Sequence, residues 1–376
     1  MVLMGYCDAC RGLPSHTNPL IACASCPRRF HAACAGVDVD AATQAAPWSC
    51  DSCAPPPTPP PTPPPVAVVD LSDGSAVAAH APALAAALRS VGAVQLILPP
   101  ALAALNARAF ELWAEFLAKP EAYKAAFAIA DGAVADGYHA RGAVAPYYNA
   151  HRSGVIYEGD ALAPLLAGVD FEARVAEWRD ACRALAADVL DAVAGERGAP
   201  REPFAAGGAF DARRGGQFHV KRTHCAAADG AVLLPPHRDP SLLSMVNHVA
   251  PSPVAPGGAG LEIYGGGRYR PIAVAGVGVC TILAGSLLAS VLPGVVSPKH
   301  RIVATFDAET PRLAATFFFQ PRDDARICDL RAPEKARRGA PTYAQWRKKA
   351  YGRYYKATQS RLAKLEAREE LRSQSR

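Results

Sequence analysis

Seven cysteines and one histidine fall in four closely spaced pairs within the first 53 of 376 residues. The pairs are Cys7 and Cys10, Cys23 and Cys26, His31 and Cys34, and Cys50 and Cys53. Two residues between ligands let a tight turn aim both side chains at one ion, and zinc takes four nitrogen or sulfur ligands in a tetrahedron. Eight ligands therefore predict two zinc ions. A segment this short, with few large apolar side chains, needs such staples to hold a fold.

The order of these ligands is four cysteines, one histidine and three cysteines, with Phe30 next to the histidine and Trp48 before the last pair. This pattern resembles the PHD finger, a family whose ligands interleave in a cross-brace. The resemblance implies that one zinc is bound by Cys7, Cys10, His31 and Cys34. It implies that the other zinc is bound by Cys23, Cys26, Cys50 and Cys53. Phe30 and Trp48 are then expected in the core of the finger.

The partner of such a finger is not fixed by its ligands. PHD fingers typically bind histone tails, and those that prefer trimethyl-lysine surround the cation with aromatic rings. Tyr6 could supply one ring, but Arg29 stands where these readers usually carry tryptophan. Readers of unmodified lysine usually have acidic residues before the third ligand, and none occurs from Pro14 to Ala22. Two alternatives therefore stay open: a finger that binds a histone tail, and a finger that is structural or docks another protein.

A proline-rich stretch follows, in which Pro55–Pro65 reads PPPTPPPTPPP. This composition predicts a polyproline II spacer, about 34 Å long at about 3.1 Å per residue. No run of about 18 apolar residues occurs, so we expect no membrane span. Cys7 lies too near the start to leave room for a signal peptide. We therefore expect an intracellular protein, in which cysteines serve as metal ligands or buried thiols rather than disulfides.

Residues 66–200 have the apolar periodicity of helices. The pattern predicts a short buried strand at residues 66–71 and helices around residues 75–92, 99–119 and 160–195. Tyr147 and Tyr148 are expected in the core or at a substrate entrance.

From about residue 201 the pattern changes to short apolar runs separated by glycine and proline, which predicts an antiparallel sandwich or barrel. Within it, His237 and Asp239 form a His-x-Asp pair, and His300 follows later. Residues at i and i+2 on a strand project from one face, so the pair can chelate one ion while a later strand brings His300 from across the barrel. Two histidines and one carboxylate leave open positions on a ferrous ion. The short apolar runs that predict the strands of this sandwich or barrel are residues 231–234, 242–249, 260–264, 279–283, 287–292 and 313–319.

The motifs around these residues resemble those of the isopenicillin N synthase-like Fe(II)/2-oxoglutarate-dependent dioxygenases. PPHRDP at residues 235–240 is similar to the family's G-P-H-x-D-P, and KHRI at residues 299–302 to its x-H-R-V. RLAATFFFQP at residues 312–321 is similar to R-x-S-x-x-F-F-x-x-P, and GLEIYGGGRY at residues 260–269 to the family's G-L-Q-V segment. The resemblance implies a double-stranded β-helix, or jelly roll, framed by helices. The whole chain is then an α+β protein with a small two-zinc finger.

The resemblance also implies roles for individual residues. Fe(II) would be bound by His237, Asp239 and His300. Arg312 would pair in a bidentate manner with the distal carboxylate of 2-oxoglutarate, since the guanidinium group matches that geometry. Such an oxidoreductase consumes O2 and 2-oxoglutarate, releases succinate and CO2, and hydroxylates or oxidatively demethylates its substrate.

Two positions depart from the family pattern. The serine expected two residues after the arginine is Ala314, and Thr316, on the same strand face, is expected to substitute. The family's N-x-Y aligns with Val220–Arg222, and Arg222 is expected to hold a carboxylate in place of the tyrosine. These departures favour an alternative, a non-catalytic chromatin- or protein-binding module with a degenerate oxygenase fold. The triad and Arg312 favour the enzyme.

The C-terminal tail is strongly basic: from Arg331 onward there are 14 Lys and Arg against 4 Asp and Glu, in a chain of net charge +6. Residues 342–372 have helical composition with aromatic residues interleaved, and their front half resembles the family's C-terminal T-Y-x-E-Y helix. A solvated packing helix and a face for nucleic acid or another acidic partner stay as alternatives.

With the finger, the tail predicts a nuclear location, and the cytoplasm is the alternative. The predicted division is finger 1–54, linker 55–65, helical region 66–200, oxygenase core 201–330 and tail 331–376.

Overall fold

In the computed structural model the chain forms two compact units, Met1–Thr62 and Pro63–Arg376. Their boundary falls inside the predicted spacer Pro55–Pro65. The structure describes residues 20–22 and 29–31 of the first unit. In the second unit it describes residues 65–350 and 352, with gaps at 132, 134, 161, 225–230, 250–259, 266, 273–277 and 305–311.

In the first unit the described residues form a two-stranded antiparallel pair, β1 (Leu20–Ala22) and β2 (Arg29–His31). Leu20 lies opposite His31 and Ile21 lies opposite Phe30. The predicted zinc ligands lie outside the described residues, apart from the backbone of His31. Those ligands are Cys7, Cys10, Cys23, Cys26, Cys34, Cys50 and Cys53.

The second unit contains two sheets. The eight strands of the large sheet are β3 (Ala67–Asp70), β4 (Ala93–Ile97), β5 (Gly137–His139), β6 (Arg152–Glu158), β7 (Gln217–Thr223), β9 (Leu243–Val249), β12 (Val279–Ala284) and β14 (Arg312–Phe318). The four strands of the small sheet are β8 (Val232–His237), β10 (Leu261–Gly265), β11 (Arg268–Pro271) and β13 (His300–Val303). The strand order is β3-β4-β12-β9-β14-β7-β6-β5 in the large sheet and β11-β10-β13-β8 in the small sheet. Every one of these pairings is antiparallel except that of β3 with β4.

The described part of the second unit also contains α-helices, of which the three longest pack on one face of the large sheet. The helices are α1 (Ala81–Ser90), α2 (Pro100–Ala118), α3 (Glu121–Ala125), α4 (Pro146–Asn149), α5 (Phe171–Glu196), α6 (Ser286–Val291) and α7 (Glu334–Arg338). Short 3-10 turns occur at Val77–His80 and Glu202–Phe204, and residues 343–350 are helical. Among the helices that the structure describes, none combines the length and the apolar character needed to cross a bilayer.

The large sheet has two distinct faces because successive residues of a strand point to opposite sides. Its helix face carries Phe218 and Phe317, whose rings stack 4.6 Å apart and both meet the ring of Trp178 on α5 edge-on. The Nε1–H of Trp178 donates to Asn106 Oδ1 on α2 at 3.1 Å, so the indole is satisfied while fully buried. The main hydrophobic core therefore lies between the helices and this face.

The other face of the large sheet, here called the interior face, looks toward the small sheet. Val246 and Leu283 on the large sheet and Leu234, Ile263 and Ile302 on the small sheet belong to one buried apolar cluster. The two sheets thus form a β-sandwich with a common interior, as expected for a jelly roll.

Most predicted elements are present, and one was wrong in type. The strand at residues 66–71 and the helices near 75–92, 99–119 and 160–195 correspond to β3, α1, α2 and α5, although α5 begins only at Phe171. The apolar run 287–292 is not a strand but helix α6, because a short continuous apolar run fits a buried helix equally well. The strands β4, β5 and β6 were not predicted, and they place residues 66–200 in the same sheet as the core.

Candidate functional site

Two histidines meet across one pair of neighbouring strands. His300, the first residue of β13, lies directly opposite His237, the last residue of β8, and the ring centroids are 4.3 Å apart. The expectation that His300 comes from across the barrel was therefore wrong: it comes from the adjacent strand. Asp239 lies two residues beyond the end of β8, not on the strand as expected, and its backbone carbonyl accepts hydrogen bonds from N–H and Oγ of Ser286.

The ligand atoms of these three residues converge. The Nε2 atoms of His237 and His300 lie 3.4 and 3.6 Å from Asp239 Oδ1, and the three residues are the group of potential metal ligands that the described part of the chain contains. Asp239 Oδ2 is buried and has no hydrogen-bond partner. A buried carboxylate oxygen without a partner is costly unless a cation completes it.

Hydrogen bonds fix the tautomers of both histidines. His237 Nδ1 lies 2.8 Å from the carbonyl oxygen of Pro235, and His300 Nδ1 lies 3.2 Å from that of Pro298. Because a carbonyl can only accept, each Nδ1 carries the proton and each Nε2 offers a lone pair toward Asp239. This is the arrangement that metal-binding histidines use, with the second ring nitrogen held by a backbone carbonyl.

The protonation states suit metal binding at neutral pH. Burial lowers the pKa of His300 to about 4, so its imidazole is neutral. Burial alone would raise the pKa of the Asp239 carboxyl, but the neighbouring His300 and His237 outweigh it and hold that pKa well below its usual value. One ionised carboxylate and neutral imidazole nitrogen are the ligand forms that a divalent ion requires.

Arg312 begins β14 on the interior face and is only 3% exposed. Its Nε has no hydrogen-bond partner, and within the described residues no carboxylate forms an ion pair with it. Burial and the neighbouring Arg152 lower the pKa of Arg312 to about 9, which still leaves it charged at neutral pH. A buried cation without a counter-ion favours an anionic ligand.

The other two predicted co-substrate residues have different outcomes. Thr316 lies opposite His219 and shares the interior face with Arg312, four residues away on β14. Arg222 does not share that face. It pairs with Leu313 and Ser153 in the row that faces the helices, and its Nη1 donates to the carbonyl oxygen of Leu117 on α2. The expectation for Arg222 is therefore wrong, because successive residues of a strand face opposite sides of the sheet and Arg222 lies on the helix side.

The side chains of β7 that face the interior are Gln217, His219, Lys221 and Thr223. Lys221 is 4% exposed, and its Nζ makes a short contact with His139 Nε2 on β5. The sequence motifs assign no role to Lys221 or His219. The alternation in β7 indicates from the sequence that Lys221 faces the interior, because apolar Phe218 and Val220 belong to the core and the odd-numbered residues face the other way.

Tyr148 follows the start of α4 and packs edge-on against the ring of His237, with centroids 5.7 Å apart. It was predicted near a substrate entrance or in the core, and the structure places it beside the triad. The side chain of Tyr147 lies outside the described residues.

Comparisons with known proteins agree with this architecture. The PHD-finger family model matches residues 7–53, from the first predicted zinc ligand to the last. The chain carries a PHD finger. No curated protein matches the chain.

The unit that follows the PHD finger resembles solved oxygenases. A full-length Neurospora crassa protein in complex with alpha-KG aligns with a TM-score of 0.56 at 19% identity, over 72% of this chain and 90% of that one. A Caulobacter crescentus protein described as a 2OG-Fe(II) oxygenase family member gives 0.56 at 17%, over 74% and 93%. The Arabidopsis thaliana dioxygenase for auxin oxidation, bound to 2-oxoglutarate, gives 0.56 at 18%, over 70% and 96%. This unit therefore has the fold of the 2-oxoglutarate oxygenases.

Proposed function

We propose that the protein is an Fe(II)- and 2-oxoglutarate-dependent oxygenase that hydroxylates or oxidatively demethylates its substrate. The observation that carries the proposal is the convergence of His237, Asp239 and His300: both Nε2 atoms face Asp239 Oδ1, and the other carboxylate oxygen is buried without a hydrogen-bond partner. The fold shared with the Neurospora crassa and Arabidopsis thaliana proteins supports it.

The donor set fits ferrous iron. Two imidazole nitrogens and one carboxylate suit a ligand arrangement that occupies one side of the metal and leaves adjacent positions open. The Nδ1 atoms of His237 and His300 donate hydrogen bonds to the backbone carbonyls of Pro235 and Pro298, which fix the orientation of the two rings. Asp239 is held by Ser286, which keeps the ligand geometry preorganised.

The interior also fits a dicarboxylate. Arg312 is buried on the face that looks toward the small sheet, where the histidines lie, and it lacks an acidic partner among the described side chains. We propose that its guanidinium group binds the distal carboxylate of 2-oxoglutarate and so fixes the orientation of the keto acid. Iron and 2-oxoglutarate, when bound, supply the activation of O2 that oxidises a C–H bond. The apolar cluster around Val246 and Ile302 limits water in the interior.

The class of primary substrate has two candidates. The Neurospora crassa protein has also been solved with thymine, and the Arabidopsis thaliana enzyme is a dioxygenase for auxin oxidation, so the fold accepts small heterocyclic molecules. The PHD finger favours a protein substrate or a protein that brings the substrate near. We propose that the finger binds a protein, for which a histone tail is the first candidate.

The finger is tested by titrating the full chain with histone-tail peptides that carry unmodified or trimethylated lysine. Binding that is lost in Cys23→Ser would support histone recognition through the finger. If neither peptide binds, the finger is structural or docks another protein.

The enzyme is tested by following succinate formation by the full chain with Fe(II), 2-oxoglutarate and O2, with and without pools of candidate substrates. We expect wild-type protein to form succinate and His237→Ala to form none. If iron and 2-oxoglutarate bind but no succinate forms with any pool, the non-catalytic binding module is favoured.

A further inference from the structure

Lys221 lies on the interior face between two small residues of the neighbouring strands. Its neighbours in the same row are Gly154 on β6 and Ala314 on β14, two of the smallest residues. Gly154 is required here by close approach, since a Cβ on it would lie 1.9 Å from the carbonyl oxygen of Val220. The long side chain of Lys221 is therefore the only large one among these three adjacent positions.

The polar end of Lys221 has one described partner, which is not an acid. His139 donates from Nδ1 to the carbonyl oxygen of Ala140 at 3.0 Å, so its Nε2 is an acceptor for Lys221 Nζ. Burial, with Lys221 beside it, lowers the pKa of His139 to about 3, so the imidazole carries no charge at neutral pH. Within the described residues Lys221 forms no ion pair with a carboxylate. Burial, with the charge of Arg152 nearby, lowers the pKa of Lys221 well below its usual value, and an anion bound beside Lys221 would raise that pKa and favour the ammonium form.

Lys221 and Arg312 lie close enough to hold one carboxylate together. Arg312 pairs with Thr223, two residues beyond Lys221 on β7, which corresponds to about 7 Å along the strand. Both side chains project from the same face, and both are long enough to converge on a group between them. Lys221 also stands directly opposite Ala314, where the family pattern has the serine that contacts this carboxylate.

We infer that Lys221 is a second anchor for the distal carboxylate of 2-oxoglutarate and replaces the contact that is lost at Ala314. This inference rests on the proposed function. It adds a residue that the sequence motifs do not assign, and it explains how the interior can bind the co-substrate without the serine hydroxyl. A charge-assisted contact from an ammonium group is stronger than one from a hydroxyl.

The test compares two keto acids that differ only at the distal end. 2-Oxoglutarate ends in a carboxylate, and 2-oxopentanoate has the same five carbons but ends in a methyl group. Binding of each to the Fe(II)-loaded full chain is measured without O2 by calorimetry or by the visible band of the iron chelate. The variants are Lys221→Gln, which keeps a donor for His139 but removes the charge, and Lys221→Met. The matched control is Arg222→Met, the neighbouring basic residue that faces the helices.

We expect both Lys221 variants to bind 2-oxoglutarate about 10- to 100-fold more weakly than wild type, as for a lost charged hydrogen bond. Their affinity for 2-oxopentanoate should stay within about twofold of wild type, and Arg222→Met should change neither affinity. Adding Ala314→Ser to Lys221→Met should restore part of the 2-oxoglutarate affinity.

Two results would overturn the inference. If the Lys221 variants weaken both keto acids equally, Lys221 has only a structural role with His139. If they weaken neither, Lys221 does not contact the co-substrate. Absence of 2-oxoglutarate binding to the wild-type chain is a different result, because it rejects the proposed function itself.

Discussion

His237 and His300 are direct partners across the antiparallel strands β8 and β13, and each donates its Nδ1 proton to the carbonyl of the proline two residues earlier. This repeated Pro-x-His arrangement aims both Nε2 atoms at Asp239. Both histidines come from a single pair of adjacent strands, so no movement of one sheet relative to the other is needed to bring them together.

The triad and the PHD finger should bind their metals independently. His300→Ala removes one of three ligands, and we expect the iron content to fall at least about tenfold. The zinc content should stay at the two equivalents expected from the finger. His224→Ala is the control, because His224 bonds Ser153 away from the triad. Elemental analysis after anaerobic loading measures both metals, and joint loss of zinc and iron would contradict the independence of the two sites.

The aromatic contact between Phe317 and Phe218 should contribute strongly to stability. Phe317→Ala removes a buried ring that stacks on Phe218 and meets Trp178, and such a change costs about 3–5 kcal/mol in unfolding free energy. Val68 is 45% exposed, so Val68→Ala should cost less than about 0.5 kcal/mol. Urea denaturation followed by tryptophan fluorescence compares the two, and equal losses would contradict the assignment of the core.

Buried histidines should make the metal-free protein sensitive to acid. Burial lowers the pKa of His139 to about 3 and that of His300 to about 4 in the folded chain, whereas the unfolded value is about 6.5. Between pH 4 and 6.5 the unfolded state binds more protons, so the unfolding free energy falls as the pH falls. Each histidine contributes a slope of at most about 1.4 kcal/mol per pH unit.

Replacing His139 isolates its share of this acid sensitivity. His139→Gln should lose one histidine's slope between pH 4 and 6.5 and leave the dependence above pH 7 unchanged. Denaturation curves at several pH values measure this difference. An unchanged slope in the variant would show that His139 is protonated or exposed in the folded state.

The sequence predicted the chemistry of the site better than its geometry. His237, Asp239, His300 and Arg312 were found because their spacing follows a motif, and the structure brings the first three together and buries Arg312 on the interior face. The neighbour of β8 could not be found in this way, since strand order results from long-range pairing that no local pattern records. That is why His300 was expected from across the barrel.

The expectation for Arg222 failed for a different reason. Successive residues of a strand face opposite sides of the sheet, so Arg222 faces the helices while its neighbour Lys221 faces the interior. The alternation of apolar Phe218 and Val220 in β7 would have indicated, from the sequence alone, that Arg222 shares their face and points toward the helices. Helix α6 was missed because its apolar run is only six residues long, too short for its period to be recognised.

The most direct test of the account is the binding of 2-oxoglutarate to the iron-loaded full chain without O2, followed by the visible charge-transfer band of the chelate. We predict a saturable band for the wild-type protein. Arg312→Ala should bind 2-oxoglutarate at least about 30-fold more weakly and give a much smaller band at concentrations that just saturate wild type, because truncating one partner of a buried charged pair costs at least about 2 kcal/mol. Iron that binds without any band, or equal 2-oxoglutarate affinity in wild type and Arg312→Ala, would contradict the proposed co-substrate and favour the non-catalytic module.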